Sequence, residues 1–266
     1  MSPDNGRGEC SAAVSESIGF LLILTIVIMG IGTVTLYGYP MLIQQQAGAD
    51  EQIMEKSLIV LQNDLKSLAY KSVPYKETSL KVGGGSLTLH PSSESPSPAY
   101  FSVFDDAGVV ASPADPLFFP IGDLRYLSLS AESMISLQNG AVVKRSTVIP
   151  GSVMLAEPRW FIDSSTNTAV IYLIAFNSST VIARSGPGTV RMALGEVIYP
   201  SPTPIPPGDR VHVHYHPERD ADYSLAWNTY FADSLKLTPD GSADYILLTG
   251  PGQMVIKQYQ VIIRSL

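Results

Sequence analysis

AVSESIGFLLILTIVIMGIG, Ala13 to Gly32, decides how this chain is organised. No charged side chain occurs from Ser17 to Ala49, and Ile18 to Tyr39 is apolar almost throughout. At 1.5 Å per residue that stretch spans roughly 33 Å, close to the ~30 Å hydrocarbon core of a bilayer. A secretory signal carries an apolar region of only about 7–15 residues and ends in a small-residue cleavage site. Here the run is longer, and Gly38-Tyr39-Pro40 followed by Met-Leu-Ile-Gln-Gln-Gln continues it. The reading is a retained transmembrane helix with Glu16 at its edge. Flanking charges do not orient it, because Arg7 stands among Asp4, Glu9 and Glu16 on one side, and Asp50 and Glu51 follow on the other. Length orients it instead: a short N-terminus inside, a long acidic C-terminal part exported.

The helix continues past the membrane. Met54, Leu58, Leu61, Leu65 and Leu68 recur at spacings of four and three, a heptad stripe among polar Glu51, Glu55, Lys56, Asp64 and Lys66. The stripe is under three heptads long, which favours packing on the protein's own head over a dimeric coiled coil. Gly38 and Pro40 predict a kink at the membrane exit. The expectation is one helix from about Ser15 to Lys71. The divisions are a polar tail (1–14), a transmembrane helix (15–43), an amphipathic stalk (44–73) and a head (74–266), with a subdivision at the proline-rich 200–209.

The chain of 266 residues is 45% hydrophobic and 15% charged, with a formal net charge of −7. Such an acidic balance argues against nucleic acid as a partner. A single cysteine, Cys10, allows no internal disulfide, and no apolar run precedes it as a lipoprotein signal requires. After Ser72, short runs rich in Val, Ile, Tyr and Thr alternate with Gly, Pro, Asn and Ser. They include 86–90, 100–104, 124–130, 141–149, 168–176, 189–194, 210–216, 244–249 and 258–266. Gly83-Gly84-Gly85 and Pro91 to Pro98 read as breakers and linkers. Asp222 to Leu235 instead places Tyr223, Trp227, Tyr230 and Phe231 at helical spacing, an amphipathic helix with a core-facing aromatic stripe. The fold class is therefore α+β: a long N-terminal hydrophobic helix, then a mostly antiparallel β head with one short amphipathic helix.

For chemistry, the sharpest pattern is His212, His214 and His216, which share one face of a strand. Neighbours sit about 7 Å apart, so two could chelate a metal with help from Glu218, Asp220 or Asp222. The plain reading is a solvent-facing stripe with Val213 and Tyr215 turned inward. Asn177-Ser178-Ser179 is a glycosylation sequon of the kind a chain this long carries by chance. There is no nucleophile elbow and no phosphate loop, so no catalytic residue, enzyme activity or cofactor is expected.

Ser15-Glu16-Ser17-Ile18-Gly19 and the apolar run behind it resemble the N-terminus of archaeal type IV pilin-like proteins with a class III signal peptide. Gly140–Trp160 and Ala226–Phe231 are similar to a group of largely uncharacterised archaeal envelope proteins of the same plan. The resemblance implies a non-enzymatic cell-surface protein, a minor or specialised subunit of a type IV pilus-like filament. Its partners would be the lipid bilayer, copies of itself or homologous subunits, and a prepilin-type peptidase acting near Arg7 and Gly8. That pair departs from the family pattern, because Glu9-Cys10 follows it and the apolar run starts only at Ile18. On this reading Glu16 pairs with a neighbouring subunit's amine, while Ser15, Gly19, Gly30 and Gly32 let helices approach closely around Ile18. The alternative is a single-pass anchored surface binding protein that does not polymerise.

Overall fold

The computed structural model describes residues 8–93, 98–106, 119–178, 182–198, 202–241 and 243–266, with side chains from residue 18 onward. It divides into two units, residues 1–46 and Ala47–Leu266.

The first unit is helical. Helix α1 runs Gly8–Thr33, a π turn follows at Val34–Gly38, and helix α2 begins at Tyr39 and runs to Lys71. No part of the most apolar window is buried against other described residues, and Met29 and Leu36 are 69% and 71% exposed. The expected break is a widened turn placed just before Pro40. Proline has no N–H to offer the carbonyl four residues back. The π turn shifts the ladder so that Tyr39 N–H bonds to Val34 O instead. The hydroxyls of Thr25, Thr33 and Thr35 donate to carbonyls four residues earlier at 2.7–2.8 Å. Few polar groups are thus left open on this surface.

The second unit is a β-rich domain containing the rest of α2. Its strands are β1 (Tyr75–His90), β2 (Tyr100–Asp105), β3 (Phe119–Pro120), β4 (Asp123–Ser128) and β5 (Ser133–Gln138). Next come β6 (Ala141–Ser146), β7 (Ser152–Ala156), β8 (Phe161–Asp163), β9 (Thr168–Asn177) and β10 (Ala183–Ile198). Then come β11 (Thr203–Ile205), β12 (Arg210–His216), the short helix α3 (Ser224–Thr229) with a π turn at Tyr230–Ser234, β13 (Thr238–Asp240), β14 (Asp244–Thr249) and β15 (Gly252–Ser265). One sheet is ordered β7-β6-β5-β4-β1-β10-β15-β9-β8, with β11 beside β15; the other is β13-β14-β12-β2-β3. All pairings are antiparallel except β15 with β9, and β9 (TAVIYLIAFN) carries the near-continuous apolar run of a strand buried on both faces.

The leucine stripe goes to this domain. Met54, Leu58, Leu61, Leu65 and Leu68 are fully buried in one core with β-strand residues. Polar contacts fix the helix on the ten-stranded sheet. Lys144 of β6 meets Glu51 and Glu55 at 3.0 and 2.7 Å, and Asp64 meets Lys76 and Thr78 of β1. The buried amide of Gln62 donates to the carbonyls of Gly140 and Glu157 at 2.7 and 2.8 Å. Gly140 can present its carbonyl there because Asn139-Gly140, both at positive φ, form the tight turn between β5 and β6.

Gly83-Gly84-Gly85 corrects the linker reading. The triplet lies inside β1, where pairing with β10 shifts between Val82 and Leu87. Glycine is needed because a Cβ on Gly85 would sit 2.2 Å from the Leu127 carbonyl, and one on Gly83 2.4 Å from the Asp50 carboxylate. Thr203–Ile205, within the proline-rich connection, is a strand on β15 rather than a free linker. The aromatic stripe of Asp222–Leu235 is core as expected: Trp227 stands 4.7 Å edge-on from Phe101 and 5.5 Å from Tyr215, with Phe231 stacked on Trp160 at 5.7 Å.

Candidate functional site

The apolar helical segment is the first candidate surface. Arg7 lies outside the described residues, and for Gly8, Ser15 and Glu16 only the helical backbone is described. Ile18 is exposed, and nothing lies within 4 Å of a Cβ built on Gly19, Gly30 or Gly32. At 100° per residue, Gly19 and Gly30 fall about 20° apart, on one face, while Gly32 turns away. Two of the three glycines therefore open one flat strip, where another helix could approach closely.

The histidine strand differs from the solvent-facing stripe expected for it. Val213 and Tyr215 are buried as predicted, but His212 is only 5% exposed and His214 and His216 are half-buried. The cause is position: β12 lies between β14 and β2, whose neighbouring side chains cover the same face. His212 Nε2 lies 2.9 Å from Asp106 and its ring stacks on Phe104, and His214 Nδ1 lies 2.7 Å from Asp244. His216 Nε2 lies 2.9 Å from Ser102 Oγ, and its ring stacks on His214 with centroids 4.0 Å apart. Burial, and then the neighbouring His214, push the His216 pKa down to about 4. Each of the three rings thus has a polar partner of its own, and Glu218 instead pairs with Arg125. Among the described residues no group of three or more His, Cys, Asp or Glu side chains is placed to hold a metal ion.

Asn177 ends β9, half-buried, with its side-chain oxygen 3.4 Å from Ser93 Oγ. The last sequon residue, Ser179, lies outside the described residues.

One site went unread in the sequence. The C-terminal turns of α2 and the connection between β7 and β8 enclose a groove of about 570 Å³, lined by Asn63, Lys66, Ser67, Lys71, Arg159 and Phe161 among others. The Arg159 guanidinium lies over the rings of Tyr70 and Tyr172, at 4.9 and 5.5 Å. Lys66 Nζ donates to the Glu157 carbonyl at 3.2 Å, and burial lowers its pKa against the opposing pull of Glu157. The only sequence signal was the run Pro158-Arg159-Trp160, a breaker followed by a cation and an aromatic.

A family model described as "Family of unknown function (DUF7289)" matches residues 13–245, covering the apolar segment and most of the β domain. No curated protein and no solved structure matches the chain.

Proposed function

The chain belongs to the DUF7289 family of unknown function, and from that premise we propose that it is a non-enzymatic, pilin-like cell-surface protein. On this reading it is a minor or specialised subunit of a type IV pilus-like filament, held by its N-terminal helix with the β domain outside the cell. The observation that carries the reading is how the two parts of the helical segment are used. The leucine stripe from Met54 to Leu68 is wholly consumed by the β domain, so it offers no coiled-coil seam. The residues from Ile18 to Ile43 are apolar on every side and exposed. Lipid or the same segment of neighbouring subunits would cover them, and the strip at Gly19 and Gly30 suits close helix approach. The resemblance around Ser15–Gly19 supports the same plan.

The test joins two measurements on the native protein: mass spectrometry of its N-terminus, and immunogold imaging of sheared surface filaments. The expected result is a chain shortened near Gly8 and gold along or at the tips of filaments. A chain starting intact at Met1 or Ser2, with none in filaments, overturns the proposal. The second reading, a single-pass anchored binding protein, is favoured by the open cationic groove on the β domain.

A further inference from the structure

The groove beside the end of α2 is unusual for this chain. The protein carries a net charge of −7, yet Lys66, Lys71 and Arg159 line one opening. Among the described residues, none of the three has a carboxylate within ion-pairing distance. The acid whose charge acts on Lys66 is Glu157, and its carboxylate is engaged by Ser234 Oγ at 2.6 Å. A fourth cation, Lys257, lies over the far ring, Tyr172, at 5.5 Å.

Two of these cations are held in place before any ligand arrives. The Tyr70 and Tyr172 rings hold the Arg159 guanidinium while the residue stays exposed, leaving its planar edge open to a carboxylate. One Lys66 N–H donates to the Glu157 carbonyl, leaving two donors open. Fixed donors lose little conformational freedom on binding. The rest of the lining shows that the ligand is more than a bare ion. Asn63 offers an exposed amide, and Phe161 is 45% exposed at the opening, an apolar face bordering the charges. A ligand matching this lining carries fixed negative charge, hydroxyls for the amide and a C–H face for the ring. A volume of about 570 Å³ falls in the range of sites that hold drug-sized ligands.

We propose that this groove binds a carboxylate-bearing saccharide chain, with Arg159 and the two lysines on its carboxylates, Asn63 on its hydroxyls and Phe161 against a sugar ring. The inference goes beyond the filament reading and stands whether or not the protein polymerises.

The test is calorimetric titration of the full chain in detergent micelles with trigalacturonic acid at about 20 mM salt, where screening is weak. Saturable one-to-one binding is expected, weakening as salt rises. Lys71→Glu and Asn63→Asp change exposed helix positions, so folding survives; each is expected to weaken binding by about tenfold or more. Arg159→Lys keeps the charge but loses the fork, and is expected to weaken it by a few-fold. Neutral galactotriose is expected to bind far more weakly than the acid. Three results overturn the proposal: no saturable binding of the acid, binding indifferent to both charge changes, or inorganic triphosphate binding as tightly at the same residues. The last would mark simple anion capture.

Discussion

Gln62→Glu tests how the helix is locked to the β domain. The change is nearly isosteric, but it swaps a two-proton donor for a carboxylate. Gln62 is 2% exposed, and its amide reaches two carbonyls, Gly140 O and Glu157 O. An ionised carboxylate there would face two acceptors with no water, so the folded protein would hold it protonated. At pH 7 that costs the folded state about 1.4 kcal/mol per unit above an ordinary glutamate pKa of ~4.3, close to 4 kcal/mol. A protonated acid has one O–H for two carbonyls, leaving one orphaned at about 1–3 kcal/mol. The total is about 5–7 kcal/mol at pH 7, comparable with the whole stability of many domains. The sign of the pH dependence follows from linkage. The folded pKa is raised, so the penalty is full above it and shrinks as pH falls toward the unfolded value. Near pH 4.5 only about 1–3 kcal/mol should remain. Urea unfolding of the full chain in detergent measures this through the fluorescence of buried Trp160 and Trp227. A loss below about 1 kcal/mol at pH 7, or one that does not shrink toward pH 4.5, would refute the double-acceptor reasoning.

Other parts of the molecule make equally definite predictions. Arg125 is buried between Asp123, bidentate at 3.0 Å, and Glu218, with Ser136 also on Asp123. Arg125→Met should cost about 3–5 kcal/mol by stranding the buried Asp123 and the half-buried Glu218, and the triple change with Asp123→Asn and Glu218→Gln should recover most of it in the same unfolding assay. His216, with its pKa lowered to about 4 against an ordinary 6.5, should stay neutral at pH 5.5 in imidazole nitrogen spectra; titration near 6.5 would contradict its burial. Because the unfolded state then takes up the proton first, stability should fall as pH drops from about 6.5 to 4, and His216→Gln should flatten that loss. Ile23→Asp with Ile28→Asp should add about 6–8 kcal/mol to membrane insertion, enough to offset the apolar segment and release the protein from carbonate-washed membranes.

Much of the architecture was legible from local periodicity. An uncharged run from Ser17 to Ala49 needs no partner to declare itself, because backbone and side chains there can satisfy one another only as a helix in an apolar setting. The stripe Met54–Leu68 and the aromatic positions of Asp222–Leu235 were readable for the same reason, since every helical turn repeats the signal. The longer Val-, Ile- and Tyr-rich strands are legible in this way, whereas β5 and the short β3, β7, β8, β11 and β13 are not. The Asn139-Gly140 turn was the overlooked marker of β5. Gly83–Gly85 misled because a triple glycine looks like a linker when the close approach of Asp50 and Leu127 is invisible.

What the sequence determined by itself, then, is an apolar helical segment, an amphipathic continuation and a β-rich remainder, all encoded between near neighbours. Only tertiary structure decided which strands cover the leucine face of α2, that β9 lies parallel to β15, and that Asp106 and Asp244 close over the histidines. It also brought Arg159 to one groove with Lys66 and Lys71, from which it is remote in the chain. These outcomes depend on strand register and long-range burial. Both are set by the free energy of the whole core, and no local window contains them.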